Sequence, residues 1–168
     1  MTEVSDILKL IKDNDVKYVD LRFTDPRGKW QHVAMDAEVV DEEMFAEGVM
    51  FDGSSIAGWK AINESDMTLK PDLESAVMDP FSAQSQLILV CDILEPSTGE
   101  PYGRDPRTTA KKALEYMNFA GIGDTAFFGP EPEFFVFDDV RFEVSYNRAF
   151  FEFDDVEGPY NAGAEMET

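Results

Sequence analysis

A segment rich in proline and glycine, residues 95–103, interrupts the sequence and carries no apolar pattern. Segments of this kind connect domains, because few side chains in them contact the elements on either side. A chain of 168 residues has room for a small domain and part of a second one. We therefore predict a first domain over residues 1–97 and a second over residues 104–168.

The first part of the sequence alternates helical and extended patterns. Apolar residues at helical spacing predict an amphipathic helix near the N-terminus; they are Val4, Ile7, Leu8 and Ile11. The next predicted elements are a hairpin over residues 18–35, a short helix over 41–48, a loop over 50–66 and a strand over 86–93. Together they indicate a small α+β domain with a mixed or antiparallel sheet.

The second part opens with a helix signal. Asp105 is a candidate N-cap and Pro106 occupies the first helical position. The predicted buried face of this helix consists of Ala110, Ala113, Leu114 and Met117, and its end lies at Gly121 and Gly123. Further predictions are strands over 125–128 and 134–137 and a hairpin that pairs 142–145 with 149–153. The acidic residues 154–168 match no element, which indicates either a disordered tail or a chain cut within a domain.

Composition and charge exclude several functions. The net charge of −21, from 35 acidic and 14 basic residues, argues against binding nucleic acid or an anionic membrane through a basic patch. The single cysteine, Cys91, excludes an internal disulfide and lies in an apolar run, so we predict a buried, inert thiol. The sequence shows no signal peptide and no apolar run of about 18 residues. We expect a soluble cytoplasmic protein with no nucleic-acid or membrane partner.

Two glutamates lie two positions apart in the otherwise apolar run of residues 128–135. In an extended segment Glu131 and Glu133 point to the same face, about 7 Å apart, and Pro132 favours that conformation. Each carboxylate is a candidate ligand for a different cation of a two-metal site, because Mg²⁺ takes one or two carboxylates and completes its shell with phosphate and water. The alternative is a strand with one polar face.

Residues 50–59 form a second candidate site. Asp52 precedes Gly-Ser-Ser and is typical of a turn-forming residue that caps its own backbone. The functional alternative is a loop that closes over a site, with Asp52 and Ser55 as acceptors and Trp59 as its cover. His32 is the only histidine, so a histidine-based metal cluster is excluded.

Three segments together closely resemble bacterial type I glutamine synthetases. They are residues 51–59, which include Phe-Asp-Gly-Ser-Ser-Ile, residues 63–67 and residues 128–135. Residues 19–26, 91–96 and 104–110 are also similar to that family. The resemblance implies an α+β chain, an N-terminal β-grasp domain followed by the truncated start of the catalytic α/β domain. It also implies a homododecamer of two hexameric rings with active sites between neighbouring subunits.

The resemblance implies an activity and roles for particular residues. Members of the family join ammonium to glutamate with ATP as co-substrate, through a γ-glutamyl phosphate, and use Mg²⁺ or Mn²⁺. Glu133 resembles a ligand of the metal on the glutamate side, and Glu131 a ligand of the metal that binds with the ATP phosphates. Asp52 resembles the aspartate that binds ammonium and withdraws its proton. Ser55 and Trp59 resemble neighbours of that aspartate.

The family is much longer than this chain, and its remaining metal and substrate ligands would lie beyond Thr168. We therefore expect an N-terminal fragment that is inactive alone. One alternative is a non-catalytic member of the family that serves interaction or structure. Another is a simple acidic binder of divalent cations.

Overall fold

The computed structural model describes residues 2–61 and 65–160, which belong to two compact units, Met1–Ala126 and Phe127–Thr168. The helices are α1 (Val4–Asp13), α2 (Glu42–Glu47) and α3 (Pro106–Phe119), with short 3₁₀ turns at Ala37–Val39, Gly53–Ser55 and Leu73–Ser75. The strands are β1 (Tyr18–Thr24), β2 (Trp30–Asp36), β3 (Val49–Asp52), β4 (Asp66–Pro71), β5 (Val77–Met78), β6 (Gln86–Leu94), β7 (Asp139–Val144) and β8 (Ala149–Asp154).

The first unit is built on a six-stranded sheet in the order β2-β1-β6-β4-β3, with β5 also paired to β6. Strands β1 and β6 are parallel, and the other neighbouring pairs are antiparallel. The predicted hairpin is confirmed, because β1 and β2 pair from Tyr18–Asp36 to Thr24–Trp30. A mixed sheet, one of the two predicted kinds, is therefore present.

Strand β6 is the centre of the hydrophobic core. Leu87, Leu89 and Ile93 on this strand are fully buried, and its two ends pair with different strands, β1 and β4. Helix α1 adds Ile7 to the same core. Burial of one such side chain stabilises the fold by about 1.5–3 kcal/mol. Cys91 is buried here too, which confirms the predicted burial, and desolvation raises the pKa of its thiol, a direction that disfavours the reactive thiolate.

Helix α3 begins as predicted. Asp105 is the N-cap, and its carboxylate accepts hydrogen bonds from the backbone N–H groups of Arg107 and Thr108 at 3.1 and 3.0 Å. Gly121 follows the helix with a positive φ of 66°, the conformation that commonly ends helices. The predicted buried face is wrong, because Ala110, Ala113 and Leu114 are exposed in the structure and Met117 is only partly buried. No element of the first unit, as far as it is described, covers these positions.

Ion pairs connect α3 to the sheet. The guanidinium of Arg107 contacts the carboxylates of Asp72 and Asp92, and Lys111 Nζ lies 2.5 Å from Asp92 Oδ2. Asp92 belongs to β6 and Asp72 follows β4. These ion pairs hold the first turns of α3 to the sheet, whereas the later turns of the helix are exposed.

The second unit contains the hairpin of β7 and β8, paired from Asp139–Asp154 to Val144–Ala149, and this prediction is confirmed. The strands predicted at 125–128 and 134–137 are wrong, since these residues have no ladder partner in the described part of the chain. Pro130 and Pro132 lack the N–H that a ladder needs. The loop predicted over 50–66 is shorter in the structure, because its first residues belong to β3 and its last residue, Asp66, begins β4. Strand β3 pairs with β4, and β4 also pairs with β6, so pairing within the sheet stabilises both strands.

None of the helices in the described ranges is long and apolar enough to cross a membrane.

The turn between β1 and β2 is organised by a buried carboxylate. Asp25 Oδ1 accepts hydrogen bonds from the N–H groups of Arg27 and Lys29 at 2.8 and 3.0 Å, and Oδ2 accepts one from Gln31 Nε2 at 3.2 Å. Desolvation on its own would raise the pKa of Asp25. The hydrogen bonds from Gln31, Lys29 and Arg27 outweigh it, so the pKa lies below the usual value of 3.8.

This lowered pKa predicts an acid-sensitive turn. A carboxylate whose pKa is lower in the folded state stabilises the fold above its unfolded pKa, and that contribution disappears as the pH falls through the folded value. We expect the free energy of unfolding to fall below about pH 4, and to fall less in Asp25→Asn, whose amide oxygen still accepts from the backbone. Urea unfolding of both chains at several pH values between 7 and 3 measures this, with the exposed Glu115→Gln as charge control. Parallel curves for the native chain and Asp25→Asn would contradict the prediction.

Candidate functional site

Asp52 ends strand β3 and caps the 3₁₀ turn Gly53–Ser55. Its Oδ1 accepts hydrogen bonds from Ser54 N at 2.8 Å and from Ser54 Oγ at 2.6 Å. Its Oδ2 accepts a longer one from Ser55 Oγ at 3.2 Å. The carboxylate is exposed to solvent. Both predicted interpretations are therefore compatible with the geometry, since Asp52 caps its own backbone and also presents an oxygen atom outward.

These donors favour the ionised form of the Asp52 carboxylate. The hydroxyl of Ser54 contributes most to lowering the pKa of Asp52, and the N–H of Ser54 contributes next. Desolvation opposes them, and the hydroxyls of Ser55 and Ser65 add smaller contributions. Hydrogen bonds to the charged form favour that form. A carboxylate in this state attracts a cation and can accept a proton from it during a reaction.

Gly53 brings the loop into close contact with β4. Its N–H donates to Ser65 O at 2.7 Å. A Cβ atom at this position would lie 2.5 Å from Met67 Cγ and 3.0 Å from Ser65 O. Because Met67 is fully buried, a larger residue would displace the loop that carries Asp52. This close contact explains why the position after Asp52 is occupied by glycine.

Trp59 anchors the far end of this loop in the core. Its indole is only 5% exposed and stacks on Phe23 with ring centroids 5.5 Å apart. Phe51 and Tyr102 meet it edge-on at 6.1 and 5.5 Å. The interpretation of Trp59 as a cover over the site is therefore wrong for the described structure. Three aromatic rings, those of Phe23, Phe51 and Tyr102, pack against the indole and stabilise its buried position.

Two cations support the same loop from outside. Arg104 donates to the carbonyl groups of Gly58 and Trp59 at 2.7 and 3.2 Å. Lys60 Nζ lies 2.7 Å from Glu95 Oε1 and above the ring of Tyr102 at 5.3 Å. The loop that carries Asp52 is consequently held at both ends, which favours one fixed position of the carboxylate.

Glu131 and Glu133 lie in the second unit, in a segment without regular structure. Both are exposed rather than enclosed by the flanking aromatic residues, since Phe128, Phe134 and Phe135 are themselves exposed. The expectation that the pair lies on a strand is therefore wrong. Neither carboxylate has a hydrogen-bond or ion-pair partner within residues 2–61 and 65–160, so their oxygen atoms are open to a cation.

In the same ranges, no group of three or more histidine, cysteine, aspartate or glutamate side chains is arranged to hold a metal ion. Two carboxylates with open oxygen atoms fit part of a Mg²⁺ or Mn²⁺ shell, which also uses water and substrate phosphates. The structure thus supplies part of a ligand set. Of the resembling segment 63–67, Asn63 and Glu64 lie outside the described residues.

Sequence reasoning missed Ser54, which makes the two shorter contacts to Asp52. The signal was present, because a serine two positions after an aspartate is a common partner in such turns. Sequence reasoning also missed Arg104, whose role depends on a contact between residues 46 positions apart.

Comparison with known proteins matches both parts of the chain to one family. The family model for the glutamine synthetase β-grasp domain matches residues 15–96, and the model for the glutamine synthetase catalytic domain matches residues 103–167. The chain is therefore α+β, with a β-grasp domain followed by the start of a catalytic domain. The chain belongs to the glutamine synthetase family.

Curated relatives and solved structures agree with this assignment. The chain is 61% identical over 167 residues to the glutamine synthetase of Azorhizobium caulinodans and 62% identical over 168 residues to that of Rhizobium meliloti. These matches cover 99% and 100% of this chain, but the chain spans 36% of the length of either relative. The glutamine synthetase of Plasmodium falciparum, solved by cryo-electron microscopy, shares the fold with a TM-score of 0.69 at 22% identity, over 95% of this chain and 33% of its own.

Proposed function

We propose that this chain contributes to ATP-dependent ligation of ammonia to L-glutamate, the reaction that gives glutamine, ADP and phosphate. The observation that carries the proposal is the match of both glutamine synthetase domains, in order, over residues 15–96 and 103–167. It is supported by relatives of that name at 61% and 62% identity. We assign the β-grasp domain to residues 1–97 and the start of the catalytic domain to residues 104–168, and we place the protein in the cytoplasm.

In this proposal ATP phosphorylates the γ-carboxylate of glutamate, and ammonia then displaces phosphate from the acyl phosphate. Asp52 binds ammonium, because its carboxylate is exposed and its pKa is lowered by Ser54. The same carboxylate accepts a proton from the ammonium, which frees the nitrogen lone pair, and the ammonia so formed attacks the acyl carbon and displaces phosphate. Ser55, 3.2 Å from Asp52, contributes its hydroxyl at the same place.

Glu131 and Glu133 would hold the divalent cations, Glu133 on the glutamate side and Glu131 on the ATP side. Bound Mg²⁺ or Mn²⁺ would neutralise the charge of the transferring phosphoryl group. The support from this chain is that both carboxylates are exposed and have oxygen atoms unengaged by protein donors. With net charge −21, the chain needs such cations, and basic groups from elsewhere, to bind ATP.

We further propose assembly into a dodecamer of two hexameric rings, in which Asp52 serves the site of a neighbouring subunit and Glu131 and Glu133 serve their own. The 168-residue chain is then inactive alone, because two glutamates without basic partners cannot activate a polyphosphate.

The test is an assay of the complete gene product for phosphate release that requires glutamate, ATP, ammonium and Mg²⁺ or Mn²⁺ together, with glutamine identified as product. The proposal predicts activity with all four components and none when any one is omitted. A folded, oligomeric gene product without this activity would contradict it and would favour the alternative, a non-catalytic member of the family.

A further inference from the structure

The two oxygen atoms of the Asp52 carboxylate have different surroundings. Oδ1 accepts both hydrogen bonds from Ser54, at 2.6 and 2.8 Å, whereas Oδ2 has the longer contact of 3.2 Å with Ser55 Oγ. A carboxylate oxygen offers about two lone-pair directions. Ser54 therefore fills those of Oδ1. The hydroxyls of Ser55 and Ser65 lower the pKa of Asp52 less than Ser54 does, so Oδ2 is the oxygen with the weaker contact and the one that a new donor can engage.

We propose that Ser54 is a positioning residue for the ammonium site: its hydroxyl fixes the rotation of the Asp52 carboxylate so that Oδ2 faces the incoming nitrogen. This inference rests on the proposed function. The geometry carries it, because a terminal carboxylate torsion is otherwise broad and roughly two-fold. A bond of 2.6 Å from a hydroxyl to a charged oxygen is short and strong.

The capping of the 3₁₀ turn and the positioning of the carboxylate are separable. The turn needs the N–H of Ser54, which every residue except proline supplies, and that bond is 2.8 Å long. The hydroxyl bond is additional. Ser54→Ala removes the hydroxyl and keeps the cap, while Ser54→Thr keeps both groups, so a purely structural role predicts no effect on ammonium binding in either variant.

The experiment measures KM for ammonium, glutamate and ATP, and kcat, in the complete gene product. We expect Ser54→Ala to raise KM for ammonium by roughly fivefold to tenfold, the net effect of one ordinary hydrogen bond, because Ser54 acts on ammonium only through Asp52. KM for glutamate and ATP should stay within about twofold, and Ser54→Thr should restore KM for ammonium. A variant that folds poorly lowers kcat by lowering the amount of active enzyme but leaves KM unchanged. Ser97→Ala, in an exposed turn, is the control for removing a hydroxyl elsewhere.

Asp52→Asn separates the two proposals. If Asp52→Asn raises KM for ammonium and Ser54→Ala does not, the positioning role of Ser54 is wrong while the function of Asp52 stands. If Asp52→Asn leaves KM for ammonium unchanged, the assignment of Asp52 fails and the role of Ser54 fails with it. An equal rise of all three KM values in Ser54→Ala would indicate a general disturbance of the loop and would also overturn the inference.

Discussion

Gly48→Ala is expected to lower the free energy of unfolding of the first unit by about 4 kcal/mol. Gly48 follows α2 with φ 84° and ψ −175°, a conformation that is open almost only to glycine. A Cβ atom there would lie 2.5 Å from Leu69 O and 2.6 Å from Thr68 Cγ2. Leu69 belongs to the centre of the sheet and is fully buried, so its backbone cannot give way without loss of strand pairing.

Gly28→Ala is the matched control. Gly28 has nearly the same φ, 83°, but no heavy atom lies within 4 Å of its added Cβ. This variant should cost about 1 kcal/mol, the penalty of the left-handed conformation alone. Urea unfolding followed by tryptophan fluorescence measures both, because Trp59 is buried in the core. An equal decrease in the free energy of unfolding in the two variants would show that the close contact between Gly48 and β4 does not affect stability.

Glu133→Gln is expected to lower the rate of glutamine formation by the complete gene product by about 10²- to 10³-fold, since it would remove a charged ligand that we propose for a divalent cation. Glutamine keeps the size and exposure of the side chain. Because Glu133 lies in an exposed segment without regular structure, stability should be unchanged. The lower rate would then reflect weaker metal binding and not a loss of folded protein, and higher Mn²⁺ concentrations should recover part of the rate.

Glu115→Gln, an exposed carboxylate on α3, is the control and should keep the native rate. Mn²⁺ titration gives an independent readout, in which Glu131→Ala combined with Glu133→Ala should bind less Mn²⁺ than the native protein. Equal binding by both proteins would remove any special role for the pair.

The elements that sequence alone predicted correctly are those with local signals. Helix α1 follows from apolar spacing, the hairpin of β1 and β2 from alternation around a turn, and the start of α3 from Asp105 and Pro106. Strands β3 and β4 were missed, because β3 is short and both strands depend on pairing with other strands, β3 with β4 and β4 also with β6. The strands expected around residues 125–137 are absent in the described structure, because apolar composition alone does not supply a partner for the backbone.

In the candidate site, too, features with a local sequence signal were predicted, whereas features that depend on contacts in the fold were not. The motif around Asp52 was visible in the sequence, and so was the choice between a cap and a ligand. The hydrogen bonds from Ser54 to the Asp52 carboxylate depend on the folded geometry of the loop, which the sequence does not specify. Trp59 was wrongly expected to cover the site, since sequence cannot tell whether an aromatic residue in a loop faces solvent or the core. The sequence also did not predict that Glu131 and Glu133 are exposed, because a run of aromatic neighbours is typical of buried segments.

A co-assembly experiment tests the central claim, that Asp52 and Glu133 belong to one glutamine-forming site shared by neighbouring subunits. Asp52→Asn and Glu133→Gln chains are each expected to form assemblies of very low activity. When the two variants are unfolded, mixed in equal amounts and reassembled, a shared site receives both native residues in about a quarter of random pairings. We predict recovery of about a quarter of the native activity. Recovery no greater than that of either variant alone would contradict the claim.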